Sequence, residues 1–274
     1  MCLSREYEQV LRRRIRKART TEAPENAVGQ WIAGFVEAGV LYYLESIMRE
    51  LPSNEFSMRP PIGSKTWHLL NRYGEEKQID HLISDKRGDP VLVIEDKWLK
   101  DQRHLKDKGS WIMVLKAVKE ATPSLRGSIA VLAGDWNETT LGVLRKLSHV
   151  FYIPLKTVYD NLKDAGIEVR INRKRQAFEK PEELLERILS VVETKLDENV
   201  DIMTEVGKKI ALCVAEQLKA TIIELLYPKK PETALHYEFS ITTSWGRVRL
   251  IEGKCISKNP DEIIEAVRGA VGQR

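Results

Sequence analysis

Residues 77–98 have the sequence KQIDHLISDKRGDPVLVIEDKW, which predicts a β-hairpin. Two apolar-rich strands, 77–84 and 91–98, flank a turn at 85–90 that contains glycine and proline, both of which favour turns. Pairing outward from this turn brings Asp80 opposite Glu95. Because side chains alternate along a strand, Glu95 and Lys97 share one face, whereas Asp96 points to the other. The hairpin therefore predicts two carboxylates and one ammonium group at a single place.

These three groups suit phosphodiester hydrolysis. Carboxylate oxygens are the usual protein ligands of a hard divalent cation such as Mg²⁺. A lysine beside the metal can orient or deprotonate a water molecule, or stabilise charge that develops on a phosphate. Asp80, Glu95 and Lys97 are therefore candidate catalytic residues. The alternative is an ordinary amphipathic hairpin with a surface ion pair.

The spacing of these residues resembles the motif of the PD-(D/E)XK nuclease superfamily. This is the fold of type II restriction endonucleases, Holliday-junction resolvases and many repair nucleases. The family has an acidic residue at the start of one strand and (D/E)-x-K at the end of the next. Here fourteen residues separate Asp80 from Glu95, and the apolar run 91–94 leads directly into Glu95-Asp96-Lys97. The chain departs from the family name at Ile79, where the name has proline.

The resemblance implies a metal site and a role for each residue. Mg²⁺, with Mn²⁺ as a substitute, would be bound by Asp80, Glu95 and the main-chain carbonyl of Asp96. Lys97 would position or activate the attacking water. The product ends would be a 5′-phosphate and a 3′-hydroxyl.

A further glutamate is expected on the helix that precedes the hairpin, since nucleases of the family often use one there. The stretch Gly-Phe-Val-Glu at 34–37 resembles the usual form and favours Glu37. Glu45, on a neighbouring helical face, is the reserve. Either residue could equally be an ordinary solvent-facing glutamate.

The resemblance covers residues 27–165, where the pattern predicts helix, three strands, helix, strand, helix, strand and helix. This order predicts an α/β fold, with a restriction-endonuclease-like core of mixed β-sheet flanked by helices. Within it, we expect a helix from Trp111 to Glu120, a strand buried on both faces in the apolar run 127–134, and a helix capped by Asn137 that ends at Leu147. Residues 1–26 would form a basic N-terminal helix or arm. Residues 166–274 would be an appended, mainly helical region that ends in a β-hairpin and a last helix from Pro260, serving dimerisation or DNA recognition.

The N-terminal helix holds the whole surplus of positive charge. The chain has a formal net charge of +4, while residues 1–20 contain seven basic and two acidic residues, a net charge of +5. A basic helix can follow a phosphate backbone. A solvated arm or an oligomerisation helix would have the same composition, and both remain open.

Two groups of basic residues are candidate DNA contacts. One follows the hairpin and the other follows residue 169. Cutting both strands of a palindrome needs two copies of one active site, so we expect a two-fold homodimer on double-stranded DNA. The candidate contacts are Lys100, Arg103, Lys106, Lys108, Arg170, Arg173, Lys174 and Arg175.

A second E-x-K motif lies near the C-terminus, at Glu252-Gly253-Lys254. A hairpin that turns near Trp245-Gly246 would set Glu238 opposite Glu252. Its strand contains arginines, and too little chain follows to complete a nuclease sheet. We therefore expect a sheet extension that contacts DNA or another subunit.

Several other classes of protein are disfavoured. No apolar run reaches membrane-spanning length, and no glycine-rich nucleotide-binding motif is present, so neither a membrane nor a nucleotide cofactor is expected. The five histidines (His68, His81, His104, His149, His236) lack zinc-ligand spacing. His81 should face away from Asp80. The three cysteines (Cys2, Cys213, Cys255) fit free thiols in a reducing cytoplasm.

The expected function is a Mg²⁺-dependent endonuclease of double-stranded DNA, of the type II restriction class. The alternatives are a structure-specific repair or recombination nuclease, and a non-catalytic DNA-binding protein that keeps the nuclease fold.

Overall fold

The computed structural model describes most of the chain in seven segments. Side chains are described up to residue 228, except those of residues 5, 6, 59, 104 and 106. The described segments are 5–20, 22–52, 54–59, 67–172, 177–228, 233–243 and 246–257.

Seven α-helices lie in these segments. They are α1 (Arg5–Thr20), α2 (Pro24–Glu50), α3 (Leu105–Ala121), α4 (Glu138–Leu144), α5 (Leu155–Asp164), α6 (Pro181–Asp197) and α7 (Ile202–Leu226), with a short 3₁₀ turn at Gln102–His104.

The same segments contain eleven strands. They are β1 (Phe56–Arg59), β2 (Trp67–Leu70), β3 (Glu76–Ile79), β4 (His81–Asp85), β5 (Pro90–Leu99), β6 (Gly127–Gly134), β7 (His149–Pro154), β8 (Ile171–Asn172), β9 (Ala177–Phe178), β10 (Thr233–Thr243) and β11 (Gly246–Ser257).

A mixed five-stranded sheet organises the first part of the chain. Its order is β1-β4-β5-β6-β7, with antiparallel pairing from β1 to β5 and parallel pairing from β5 to β7. The parallel pairs need crossover connections, which α3 and α4 supply. Every residue of β6 is buried, as its apolar sequence predicts for a central strand. The expected α/β class, a mixed sheet flanked by helices, is confirmed.

Helices cover both faces of this sheet. On one face, Leu92 and Ile94 of β5 pack in a core that includes residues of α1, α2, α5, α6 and α7. On the other face, Val93 packs in a second core with α3 and α4. The alternation of side chains along β5 therefore assigns each of its residues to one layer or the other.

The chain forms two compact units, Met1–Leu226 and Tyr227–Arg274. The expected boundaries after residues 26 and 165 both fall inside the first unit, because α1, α6 and α7 contribute to its core. Whether the three expected regions have separate functional roles stays a prediction.

Helix α1 belongs to the first unit and packs in its core, so the solvated-arm alternative is wrong. Leu11, Ile15 and Ala18 are buried in the core. The arginines on its flank form ion pairs with α6, where Arg12 Nη2 lies 2.8 Å from Asp197 and Arg19 Nη1 lies 2.7 Å from Glu193. Part of the basic surplus of the helix is therefore paired within the protein.

Helices α2 and α7 cross in backbone contact at two glycines. A Cβ atom on Gly39 would lie 2.1 Å from the carbonyl oxygen of Gly207, and one on Gly207 would lie 2.4 Å from the carbonyl oxygen of Phe35. Only glycine permits this approach at either position. The crossing fixes α2, and with it Glu37, over the sheet.

Three sequence-based boundaries need correction. The strand predicted over 77–84 is broken at Asp80, and its first half, β3, pairs with β2 in a separate two-stranded sheet. Helix α3 begins at Leu105 rather than at residue 111. Helix α4 is capped by Asn137 as expected but ends at Leu144 rather than at residue 147.

The second unit contains the predicted C-terminal hairpin. Strands β10 and β11 pair antiparallel, and their register sets Glu238 opposite Glu252, as the sequence predicts. The expected last helix from Pro260 lies outside the described residues.

In the described part of the chain, no helix has both the length and the apolar character that a membrane crossing requires.

Candidate active site

Asp80, Glu95 and Lys97 meet where β4 begins and β5 nears its end. The register of β4 and β5 pairs His81 with Ile94, so Asp80 and Glu95 are the next residues beyond that pair. Lys97 Nζ lies 2.5 Å from Asp80 Oδ2 and 2.5 Å from Glu95 Oε2. The structure thus brings together the three groups that the hairpin motif singled out.

Main-chain hydrogen bonds explain the break in the strand at Asp80. The Asp80 N–H donates to Glu95 Oε1 at 3.3 Å, and the Asp96 N–H donates to Asp80 Oδ2 at 3.2 Å. The Asp96 N–H thus donates to a side-chain carboxylate, where a regular antiparallel pair would offer a main-chain carbonyl. This substitution bends the chain between β3 and β4 and fixes the Asp80 carboxylate beside Glu95.

Burial and charge shift the pKa values of all three groups. Burial raises the pKa of Glu95 to about 8, the Asp80 charge adds to this rise, and Lys97 opposes it. Burial acts in the same sense on Asp80, but Lys97 and the hydrogen bonds outweigh it and lower the Asp80 pKa. Burial lowers and the two carboxylates raise the pKa of Lys97, with a net rise. One ammonium therefore serves two carboxylates, of which Glu95 is buried and Asp80 is partly exposed, and the state with both carboxylates ionised has a surplus of negative charge.

The surplus charge suits a hard cation. Asp80 and Glu95 offer adjacent carboxylate oxygens, and the Lys97 ammonium lies between them, so its Nζ atom stands in for a cation there. Among the described side chains, no group of three or more His, Cys, Asp or Glu residues is arranged to hold a metal. A metal here would therefore need main-chain or water ligands besides these two carboxylates. The expected main-chain ligand is the carbonyl of Asp96.

A second charged group lies on the opposite face of the sheet. Asp96 follows the alternation of Ile94 and Trp98, which pack on the α2 side. There, His81 Nε2 lies 3.1 Å from Asp96 Oδ1. His81 thus faces away from Asp80, and Asp96 away from Glu95, as the alternation predicts.

Glu37 of α2 faces this second group. The Glu37 side chain is itself exposed to solvent. Desolvation by the surrounding protein and the charges of Asp96 and Asp80 raise its pKa, whereas His81 and Arg14 act against the rise. Glu37 lines the same cleft as Asp80 and Glu95, whereas Glu45 is absent from the cleft wall. The geometry favours Glu37 over Glu45 as the glutamate that serves the site.

An open cleft of about 670 Å³ gives access to these residues. Its wall contains Lys108 and Trp111, one turn apart on α3, and the Trp111 side chain is 44% exposed. Amide and acidic side chains from α2 line the other side. The lining residues are Glu25, Asn26, Gly29, Gln30, Ala33, Glu37, Gln78, Asp80, Glu95, Asp96, Lys97, Trp98, Leu99, Lys100, Lys108, Trp111 and Phe178.

Two expected phosphate contacts are in internal ion pairs. Lys100 is paired with Glu25 and lies 4.8 Å above the ring of Phe178. Arg103 forms a two-pronged contact with Asp101, at 3.0 Å for both Nε and Nη2. Either residue would have to exchange these partners for a phosphate.

The remaining expected contacts differ in their surroundings. Lys108 lines the cleft and forms no ion pair with a described residue, so its ammonium is available to a ligand. Arg170 lies 3.0 Å from Glu168 on an exposed surface. The side chain of Lys106 and residues 173–176 lie outside the described residues, as do the side chains of Glu238, Glu252 and Lys254.

Arg14 is a neighbour of the site that the sequence analysis did not single out. It donates to the Gln30 carbonyl at 2.8 Å and lies 4.5 Å above the Trp31 ring. A Cβ atom on Gly34 would come within 2.9 Å of its guanidinium. The glycine therefore makes room for a cation whose charge opposes the raised pKa of Glu37. Arg14 lies on α1 and these neighbours lie on α2, so no local sequence pattern predicts their contact.

Comparison of the chain with family models, with curated proteins and with solved structures found no match.

Proposed function

We propose that this protein is a Mg²⁺-dependent endonuclease that hydrolyses phosphodiester bonds of double-stranded DNA, as a type II restriction enzyme. The observation that carries the proposal is the contact of Lys97 with both Asp80 and Glu95 on the wall of an open cleft. Burial and the neighbouring Asp80 charge raise the Glu95 pKa, and a bound divalent cation would offset both effects by stabilising the ionised carboxylate.

The arrangement of the sheet supports a restriction-endonuclease-like core. Asp80 immediately precedes β4, Glu95 lies on its antiparallel neighbour β5, and β5 also pairs in the parallel half of a mixed sheet. Helix α2 precedes these strands and brings Glu37 to the same cleft. This is the order of elements that the family resemblance implies.

Each residue has a role in the proposed reaction. Asp80, Glu95 and the Asp96 carbonyl would hold Mg²⁺ or Mn²⁺, which when bound supplies Lewis-acid polarisation of the phosphate and a water of lowered pKa. The lowered Asp80 pKa keeps that carboxylate ionised. Lys97 would orient the attacking water and stabilise charge on the phosphate oxygens. Glu37 would accept a hydrogen bond from the water shell.

The proposal includes a DNA-bound homodimer that acts in the cytoplasm. Lys108 would contact a phosphate near the scissile bond, since it lines the cleft. A two-fold dimer would place two such clefts on the two strands of one palindrome.

Plasmid nicking tests the proposal directly. The parent, Asp80→Ala and Lys97→Ala are incubated with supercoiled plasmid in Mg²⁺, in Mn²⁺ and in EDTA. We expect cleavage by the parent with either metal and a loss of at least 100-fold in both variants, because each removes a group at the reacting centre. Lys156→Ala is the matched control, since Lys156 is an exposed lysine paired with Asp160 on α5.

The outcome that contradicts the proposal is a parent that is inert with both metals on varied DNA. Digestion of a phage genome followed by end sequencing then distinguishes a restriction enzyme from a less specific nuclease. Discrete fragments that share one terminal sequence are the expected result.

The exposed indole of Trp111 favours a second candidate, a structure-specific nuclease. An aromatic side chain on the wall of a charged cleft can stack on an unpaired base, and Lys108 lies one turn away to meet its phosphate. Preferential cutting of forked or branched DNA over linear duplex would support this candidate. A non-catalytic DNA-binding protein is the third, and the presence of all three site residues argues against it.

A further inference from the structure

His81 and Asp96 form a buried polar pair behind the proposed active site. The distance from His81 Nε2 to Asp96 Oδ1 is 3.1 Å, and His81 is 1% exposed. Because the Asp96 carboxylate can only accept, Nε2 carries a proton and donates it to Asp96. The Nδ1 atom has no hydrogen-bond partner among the described residues.

Burying this histidine is costly. An unpaired polar atom away from water loses free energy that an apolar side chain of similar size would not lose. Burial lowers the His81 pKa, but the hydrogen bond to Asp96 and the negative charges of Asp96, Asp80 and Glu37 outweigh it, with a net rise. A buried polar group that costs stability points to a function elsewhere in the structure.

Asp96 joins this pair to the proposed active site. Its side chain contacts His81 on the α2 side of the sheet, while its N–H donates to Asp80 Oδ2 at 3.2 Å on the other side. The Asp80 N–H in turn donates to Glu95 Oε1 at 3.3 Å. A continuous set of hydrogen bonds therefore runs from the imidazole to both carboxylates.

We propose that His81 is a positioning residue for this site, which holds the main chain at Asp96 so that its N–H meets Asp80 and its carbonyl faces the proposed metal position. The inference rests on the proposed function and adds a residue to it. His81 is 1% exposed and does not line the cleft, so it would touch neither substrate nor metal. Partners that orient metal ligands typically contribute 10–100-fold to metal affinity or activity.

Two polar variants at position 81 test whether a hydrogen bond to Asp96 is required, because only one of them is long enough to form it. In His81→Gln, the side-chain amide nitrogen extends about as far as Nε2 and can donate to Asp96. In His81→Asn, the amide reaches only about as far as Nδ1 and cannot. We expect His81→Asn to lower kcat for plasmid nicking and the calorimetric affinity for Mn²⁺ by about 10–100-fold. His81→Gln should recover most of both, while KM for DNA stays unchanged in each variant.

A double-mutant cycle tests whether His81 acts through Asp96. Asp96→Ala keeps the peptide but removes the acceptor, so it should lower Mn²⁺ affinity to a similar extent. Adding His81→Asn to it should cause little further loss, because the two residues form one unit. Ser148→Ala is the control, since Ser148 is also buried and donates to the Ser128 carbonyl at 2.8 Å, away from the cleft.

The outcomes separate this inference from the proposed function. If the parent cuts DNA and binds Mn²⁺, and His81→Asn has the same activity and the same Mn²⁺ affinity, the role of His81 is overturned and the proposed function stands. Additive losses in the cycle also overturn it, because His81 and Asp96 would then act independently. A loss shared by Ser148→Ala overturns it as well, because it would indicate general destabilisation. A parent that neither cuts DNA nor binds Mn²⁺ overturns the proposed function itself.

Discussion

Glu95 has the most perturbed carboxyl group of the proposed site. It is 2% exposed and shares the Lys97 ammonium with Asp80. Its pKa of about 8 in the folded protein lies above the ordinary value of 4.5. Between these two pH values the folded state binds more protons than the unfolded state, so the contribution of Glu95 to stability falls as pH rises.

This sign gives a pH-dependent prediction for the metal-free protein. In EDTA, the thermal unfolding temperature of the parent should fall as the pH rises from about 5 to 9. The unfolding temperature of Glu95→Gln, whose side chain stays neutral, should fall less. The difference in unfolding temperature in favour of this variant should therefore be largest at the alkaline end. Thermal melts of both proteins across this range, in buffers of constant ionic strength, provide the measurement. Parallel curves would show that Glu95 is ionised in the folded protein throughout.

Trp111 offers a second prediction at the scale of single residues. If its indole stacks on an unpaired base, Trp111→Ala should weaken binding of forked DNA by about 1–3 kcal/mol. Binding of blunt duplex should change much less. Fluorescence anisotropy in EDTA measures both without cleavage. Met113→Ala is the matched control, because Met113 is 53% exposed on the same helix but does not line the cleft. Equal losses on both DNAs would contradict stacking.

At the scale of elements, α1 is attached by burial more than by charge. Ile15 is fully enclosed, whereas Arg19 reaches Glu186 and Glu193 on a surface that water can enter. Ile15→Ala should therefore lower the free energy of unfolding by about 2–5 kcal/mol. Arg19→Ala should lower it by at most about 1 kcal/mol. Urea titrations give both values, and a larger effect at Arg19 would reverse the conclusion.

Local sequence patterns predicted most helices and strands, but not the residues that they contact in the folded protein. The apolar run of β6 and the Asn137 cap depend on neighbouring residues, so the sequence was sufficient for both. The break at Asp80 depends on an N–H sixteen residues away, and the alternation over 77–84 hides it. The pairing of Arg19 with Glu193 joins residues 174 apart. Such partners are selected by the packing of helices, which no local pattern encodes.

The same division applies to the site. Strand register and alternation are regular, so the meeting of Asp80, Glu95 and Lys97 followed from the hairpin. They also place His81 and Asp96 on one common face, which made their contact accessible to the same reasoning. The ion pairs of Lys100 and Arg103 depend on where acidic neighbours lie in space, and a count of basic residues cannot supply that.

At the scale of the whole molecule, the first compact unit ends at Leu226. A chain truncated there should keep cooperative thermal unfolding and the Mn²⁺ affinity of the parent, because the sheet, the cleft and both hydrophobic cores lie within this unit. Circular dichroism melts and calorimetry provide the test. A non-cooperative melt would show that residues 227–274 are required to complete the fold of the first unit.

The glycine crossing of α2 and α7 constrains how this protein can diverge over evolutionary time. In most helix contacts, a larger side chain on one partner is accommodated by a smaller one opposite. Gly39 and Gly207 already have the smallest side chain, and each faces main-chain atoms of the other helix. Neither position has a compensating substitution, so orthologues that retain the cleft should have glycine at both sites. An orthologue with alanine at either one should also have a displaced α7.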